Sequence, residues 1–405
     1  LGRTAECLEL PAQPTARVGL VSSRVSEPTP TQPVPPALTD LRTKIDSVDQ
    51  RLIALLNERA ALVSEVGRVK RDTGAPIYAP HRESQVLAKV LAMNEASPTG
   101  TKLPARAIEG IYREIMSGSF ALERGLSVGY LGPRGSHSHV AGVRHFGSSV
   151  AFVEQETIEG VFTSVSRGHV DCGLVPIENS IHGGVAETLE SFTSFAGKVQ
   201  IYAEAQVEIH HVLAGQCAPS EIQRIYSKPE VFSQCRLWLA DKFPQAKLIP
   251  TPSSSKAMQV VREESETAGG PTDAAAIGSA LGASLNGLTT LFENIEDHAH
   301  NLTRFFVLAR QLAERTGDDK TSLMFKAADK PGALASVLGD FERSGINLTH
   351  IDKRPAGRVN WTYTFFIDAQ GHQSDASMQL AIERAKQHCQ ELVILGSYPR
   401  STRVL

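Results

Sequence analysis

The chain has no apolar run approaching the roughly 18 residues that a membrane-spanning helix needs, which excludes such a helix. Cysteine is scarce. The five, Cys7, Cys172, Cys217, Cys235 and Cys389, are scattered and form no Cys-x-x-Cys pair or Cys/His cluster. That points away from disulfides and structural zinc and toward reduced thiols in a cytoplasmic protein. Neither charge sign dominates: 41 Lys and Arg stand against 44 Asp and Glu, for a formal net charge of -3. Such a balance argues against nucleic acid or an anionic membrane as the main partner. A dinucleotide fingerprint is also missing. The glycines at 129, 132 and 135 read GxxGxxG rather than GxGxxG, and no acidic residue closes a second strand at the expected distance.

What remains is a chain of 405 residues, long enough for two to four domains by the rough measure of ~100–200 residues each. Residues 1–37 are rich in Pro, Thr, Ser and Val without helical or strand period, and read as a disordered leader. A helical module follows over 38–125. From Thr39 to Asp72 there is no proline, and Leu41, Ile45, Val48, Leu52, Leu55, Arg59, Leu62, Val66 and Val69 alternate in steps of four and three. This heptad seam predicts one long packed helix, with Thr39 or Asp40 as its cap and Pro76 preventing its continuation. Two shorter helices are predicted over Pro80–Asn94 and Pro104–Glu123.

Arg59 is the wrong residue for a leucine and valine seam, because a buried guanidinium is costly unless an anion meets it. Lys70, eleven residues on, projects from nearly the same face. Ser119 and Glu123 extend the apolar stripe of the third helix as polar groups. Together these suggest a site for a polyanionic small molecule. The plainer alternatives are an internal Arg–Glu pair and a solvated helix end. Arg42 lies about 25 Å from Arg59 along one straight helix at ~1.5 Å per residue, so it can serve such a site only on a second copy of the chain.

The run Leu41–Arg59, followed by Val66-Gly-Arg-Val-Lys70 and Arg82-Glu83, resembles the all-helical chorismate mutase family. The resemblance implies an interlocked homodimer. It implies that Arg59, with Arg42 of the second chain, holds the two substrate carboxylates. Lys70 and Glu123 would flank the ether oxygen, and Arg82, Glu83 and Ser119 would contact the hydroxyl or carboxylate side. Ala79 departs from the Asp common in that family three residues before Arg82. The implied pericyclic reaction needs no nucleophile, only a held conformer and charge stabilisation on the breaking C–O bond.

Residues 126–311 alternate strand-like and helical runs, an α/β pattern with Gly, Ser and Asn at the strand-to-helix turns. Strands are predicted at Leu126–Leu131, Val170–Ile177, Ala203–Leu213, Ile222–Tyr226 and Thr303–Ala309, and Ala274–Ala280 reads as a strand followed by a turn. Singly such turns are plain connections; several rich in hydroxyl and amide groups suggest a cleft that grips an anion without a metal. Gly132-Pro-Arg-Gly-Ser-His-Ser-His139, Val175-Pro-Ile-Glu-Asn-Ser180, Ile277-Gly-Ser279 and Asn301-Leu-Thr-Arg-Phe305 resemble prephenate dehydratase, a two-lobed domain like the periplasmic binding proteins. The resemblance implies Thr303 as the essential catalytic residue. It implies Ser136, Asn179, Ser180, Ser279 and Arg304 as prephenate-binding, with Phe305 packed beside the substrate. Tyr226-Ser-Lys-Pro-Glu230 departs from the Ser-His-Pro-Gln pattern of that family. Without the resemblance, Thr303 reads as a β-branched residue opening a strand.

Over 320–400 the predicted order is βαββαβ, which resembles the ferredoxin-like ACT domain. Lys330-Pro-Gly-Ala-Leu334 opens its first helix and Asp352-Lys-Arg-Pro355 stands where Glu-Ser-Arg-Pro is usual. The resemblance implies an amino-acid effector, phenylalanine, held near Gly332, Ala333, Leu334, Asp352 and Arg354. The three modules together resemble the bifunctional chorismate mutase/prephenate dehydratases. They imply chorismate and prephenate as substrates, a homodimer or higher assembly, and no cofactor or metal. A mutase joined to prephenate dehydrogenase is the enzyme alternative, disfavoured by the missing fingerprint. A small-molecule sensor is the non-enzymatic one.

Overall fold

The computed structural model describes residues 36–327, 330–355 and 363–405. Contacts divide the chain at Glu58 into a unit ending there and a second from Arg59 to Leu405. The expected leader lies outside the described residues up to residue 35.

Helix α1 spans Pro36–Thr73, α2 Pro80–Glu95 and α3 Ala105–Glu123. The start of α1 differs from expectation: the helix opens before Thr39 and Asp40, so neither caps it. Proline suits a first turn, where its missing N–H has no partner to lose. The apolar seam residues lie exposed, from 48 % at Val66 to 62 % at Leu55.

The central region builds two sheets. Strand β1 (Ser127–Leu131) leads to α4 (His137–Phe146), β2 (Ala151–Gln155), α5 (Ile158–Ser166), β3 (Cys172–Asn179), the short β4 (Gly183–Gly184), α6 (Ala186–Phe195) and β5 (Gln200–Glu208). The chain then enters the second sheet through β6 (Val212–Gly215), β7 (Arg224–Ser227), α7 (Pro229–Gln234), α8 (Arg236–Lys242), β8 (Lys247–Pro250), α9 (Ser254–Ala268), β9 (Ala274–Gly278), α10 (Ala280–Leu285) and β10 (Thr289–Phe292). It returns to the first sheet as β11 (Leu302–Ala309). The orders are β2-β1-β3-β11-β5, with β4 on β3, and β10-β6-β9-β7-β8. One sequence expectation fails here. Ala203–Leu213 is two strands, broken at Ile209–His211 where the chain leaves one sheet for the other. Alternation reads a strand's faces but not which sheet it joins.

The C-terminal module is β12 (Asp319–Ala327), α11 (Ala333–Arg343), β13 (Leu348–Pro355), β14 (Tyr363–Gln370), α12 (Ala376–Lys386) and β15 (Cys389–Pro399), in the order β13-β14-β12-β15. Met324, Phe366, Leu395 and Tyr398 of this sheet share one apolar core with Val128, Leu174, Phe192, Phe305 and Phe306 of the central region. The other face of the sheet packs under α11 and α12 through Phe325, Val337, Phe341 and Met378.

Candidate functional site

Three clusters gather most of the residues singled out in the sequence. In the helical module α1 and α3 touch at Gly67, where a Cβ would stand 2.9 Å from the Glu123 Cα. This approach lets two long cations on α1 reach one short stretch of α3. Arg59 and Lys70 are about 16 Å apart along their axis, whereas Ser119 and Glu123 are about 6 Å apart on theirs. Arg59 Nη1 donates to Ser119 Oγ at 2.7 Å, and Lys70 Nζ donates to Glu123 Oε2 at 2.8 Å and to the Ile77 carbonyl at 2.9 Å. Arg71 donates to the Glu123 carbonyl. Ser119 and Glu123 are buried, so the paired charges are largely shielded from water. A cavity of about 450 Å³ adjoins the Lys70–Glu123 pair, with Arg71, Arg124, Asp171 and Arg310 on its wall.

Arg82 and Glu83 do not join this cluster. Glu83 accepts from Arg113 Nη1 at 3.0 Å, and Arg113 also donates to the His145 carbonyl on α4. Burial raises the Glu83 pKa, against the lowering effect of Arg113. Arg82 makes a 3.3 Å bond to Gln85 on an exposed face. Arg42 is exposed on the part of α1 that belongs to the first unit.

The second cluster lies where the two central sheets meet. Ser136 caps α4, accepting from the His139 N–H and donating to the Leu131 carbonyl at 3.0 Å. Ser279 caps α10 and donates to the Gly135 carbonyl at 2.6 Å. Gly135 has φ +84°, and a Cβ there would lie 2.8 Å from the Gly282 Cα, so only glycine lets the two turns close on each other. At the end of β3, Asn179 Oδ1 accepts from the backbone N–H groups of Ile181 at 3.0 Å and His182 at 3.1 Å. Two backbone donors fix which end of this amide is oxygen. Its Nδ2 is therefore the donor to Asn301 Oδ1 at 2.7 Å and to Thr303 Oγ1 at 2.8 Å, with the Leu302 carbonyl at 3.2 Å. Thr303 accepts in this arrangement, which leaves its own hydroxyl proton free to be donated. Ser180 instead staples the loop, accepting from Leu302 N–H at 3.0 Å and donating to the His300 carbonyl at 3.2 Å.

Sequence reasoning missed several residues here. His211 Nε2 meets Gln234 Oε1 at 2.6 Å, and Gln234 Nε2 lies 3.5 Å from His182 Nδ1. The His137 and His211 rings stand edge to face with centroids 5.1 Å apart. Burial, then the neighbouring His211, pushes the His137 pKa down to about 3; burial also lowers His211. A cleft of about 380 Å³ alongside is lined by His137, Arg144, Glu208, His210 and Ser279. Nothing in spacing could have joined His137, His182, His211 and Gln234, which come from four separate stretches. Asn301 lay within a recognised motif but carried no assigned role.

Arg304 sits on the opposite face of β11 from Thr303, as strand alternation requires. Its guanidinium meets Glu204 Oε2 at 2.8 Å, Asp368, and Tyr398 Oη at 3.2 Å, and lies 4.8 Å from the centre of the Phe306 ring. Burial alone would lower its pKa, but Tyr398, Asp368 and Glu204 outweigh that and raise it. The structure thus turns Arg304 toward the C-terminal sheet rather than toward Thr303. Phe305 is buried in the shared core.

The third cluster surrounds β13. Gly332 caps α11 with φ 80°, Ala333 is buried, and Leu334 packs on the core beneath. Asp352 and Arg354 face each other at 3.4 Å, and Arg354 donates to the Gly184 carbonyl at 3.3 Å. His350 Nδ1 approaches Glu178 Oε2 at 3.5 Å. The signature strand thus rests on the hairpin that follows Asn179. Among the described residues no group of three His, Cys, Asp or Glu is placed to hold a metal ion, and no helix is long and apolar enough to cross a membrane.

Comparison with known proteins gives the same three parts. The chorismate mutase type II family matches residues 41–124, prephenate dehydratase 128–313, and the ACT domain 321–386. A bifunctional chorismate mutase/prephenate dehydratase of Pseudomonas aeruginosa is 39 % identical over 371 residues, covering 90 % of this chain and 98 % of that one. The protein of that name from Aquifex aeolicus is 37 % identical over 365 residues, with 90 % and 98 % covered. Among solved structures, prephenate dehydratase in complex with L-Phe from Arthrobacter aurescens aligns with TM-score 0.61 and 32 % identity, over 68 % of this chain and 90 % of that one.

Proposed function

The chain belongs to the family of bifunctional chorismate mutase/prephenate dehydratases, and we propose that it converts chorismate to prephenate and prephenate to phenylpyruvate under feedback control by phenylalanine. The single observation that carries the second activity is the Asn179–Thr303 pair: an amide of fixed orientation leaves the threonine hydroxyl as a proton donor. Prephenate loses carbon dioxide and its ring hydroxyl as the ring becomes aromatic. The protein therefore has chiefly to protonate the departing oxygen. Thr303 does this, and the turns carrying Ser136, Asn179, Ser180 and Ser279 cradle the substrate's anionic groups.

The mutase site is built on Arg59, Lys70, Ser119 and Glu123. Arg59, with Arg42 of a second copy, takes the carboxylates. Lys70 and Glu123 flank the ether oxygen, and the stabilisation is electrostatic. The exposed seam of α1 supports a homodimer, because leucines and valines in that number are stable in water only when covered. The assignment of Arg82 and Glu83 to this site requires α2 to turn on dimer formation or substrate binding.

The modules are taken as 38–125, 126–311 and 320–400. Phenylalanine, bound by the last of these around Gly332–Leu334 and Asp352–Arg354, is the effector. The L-Phe complex of the Arthrobacter protein supports this reading. The reactions need no metal or nucleotide, and the free, buried thiols of Cys172, Cys217 and Cys235 support a cytoplasmic location. Following chorismate loss and phenylpyruvate formation by ultraviolet absorbance, with no added cofactor, tests the proposal. Failure of the purified protein to form phenylpyruvate from prephenate would overturn it.

A further inference from the structure

Asn301 stands immediately before β11 and is 1 % exposed. Its Oδ1 accepts from Asn179 Nδ2 at 2.7 Å, and its backbone carbonyl accepts from the Ile209 N–H at 2.8 Å. The orientation of the Asn301 amide follows by logic, because the Asn179 oxygen is fixed by two backbone donors and its nitrogen must face an acceptor. Asn301 Nδ2 is therefore the free end, and among the described residues it has no hydrogen-bond partner. Leaving a buried amide donor unpaired is destabilising, so an unpaired one two residues from Thr303 calls for an explanation. The same Asn179 amide binds both Asn301 and Thr303, so the side chain with the unpartnered N–H groups and the one with the free O–H are held by a single group.

We propose that Asn301 is a further catalytic residue of the dehydratase: its Nδ2 donates to the ring hydroxyl that Thr303 protonates. The inference rests on the reading of Thr303 as proton donor. As the C–O bond breaks, its electron pair goes to the departing oxygen, which takes one proton and leaves as water. The electron pair of the carboxylate C–C bond moves into the ring and releases carbon dioxide. Charge builds on the departing oxygen before the proton is fully transferred, and a second, preorganised donor stabilises that charge. Asn179 would then act one step removed, aiming two donors with a single amide.

Asn301→Asp tests this against a merely structural role. Aspartate keeps an oxygen to accept from Asn179 but replaces the free donor with an acceptor. A residue that only supports Asn179 would tolerate the change; a donor to the departing oxygen would not. The expected result is a fall in dehydratase kcat of about 10²–10³-fold, the usual cost of one such donor, with KM for prephenate changed far less. Mutase turnover of the same preparation reports that the chain is folded. Should Asn301→Asp fail to fold, Asn301→Ala is the second variant and the same kcat loss is expected. Dehydratase kcat within threefold of the parent in either folded variant overturns the proposal. Thr303→Ala in the same assay separates the two claims, since its retention of activity would refute the Thr303 reading whatever Asn301 does.

Discussion

At the scale of single residues, the dehydratase site is a question of which atom carries which proton. Threonine is a weak acid in water, and the proposed role of Thr303 as proton donor rests on Asn179 donating to it and so turning its proton outward. Thr303→Ala is expected to lower dehydratase turnover by orders of magnitude while mutase turnover stays within a few-fold, measured on one preparation with both substrates. Thr303 and Asn179 were legible in the sequence because each lies in a contiguous motif. Asn301's free donor was not, because it depends on a hydrogen bond between residues 122 positions apart. In the mutase cluster, glutamate at 123 can donate to an ether oxygen only when protonated, whereas glutamine donates at any pH. Glu123→Gln keeps a donor at this position, whereas Glu123→Ala has none and is expected to lower mutase kcat by about 10²–10³-fold, the usual cost of one such donor. A fall in Glu123→Ala of less than threefold would remove Glu123 from the ether oxygen.

Among elements, the decisive one is α1, whose period was readable at sight and whose partner was not. The heptad seam predicted a long helix, and a helix of that length is present. A pattern of leucines says that a face must be covered, and the exposed seam leaves a second copy to cover it. If so, Arg42→Ala and Arg59→Ala homodimers should each be nearly inactive as mutases. Mixed heterodimers should regain one intact site, and no recovery in verified heterodimers would sink the interlocked arrangement. Gly67 sets the spacing of the same site. Any side chain there meets the Glu123 backbone at 2.9 Å, so Gly67→Val must push α3 from α1 and separate Lys70 from Glu123. Mutase kcat/KM should drop at least tenfold, as small misplacements do, with dehydratase activity largely kept. The break at Ile209–His211 was illegible for a different reason: nothing local marks where the alternating run Ala203–Glu208 leaves one sheet and the wholly buried Val212–Gly215 joins another.

For the whole molecule, the question is how an effector on the C-terminal module reaches Thr303. Arg304 follows Thr303 on β11 and points the other way, into Glu204 and Asp368, while Lys320 of β12 reaches the same Glu204 at 3.0 Å. Ser322 and Tyr398 complete the cluster, with Ser322 donating to Asp368 at 2.5 Å. Strand β11 is thus tied by this buried polar cluster to three strands of the C-terminal sheet, and the two share a core besides. Removing residues beyond 318 would strip that core and leave Arg304 and Glu204 exposed, so truncation confounds regulation with folding. Asp368→Asn is the cleaner change. It keeps the shape but withdraws one charge, and breaking one side of a buried pair costs about 3–5 kcal/mol at most. The expected results are a lower Tm, measurable phenylalanine binding, and a weaker inhibition of the dehydratase. Since such couplings are worth ~1–3 kcal/mol, the inhibitory concentration should rise roughly 5–150-fold if this cluster carries the signal. Mutase activity, which does not use β11, should change little. Inhibition that stays at parental strength in a folded Asp368→Asn protein would shift the route to the end of β3, where Arg354 donates to the Gly184 carbonyl and His350 approaches Glu178.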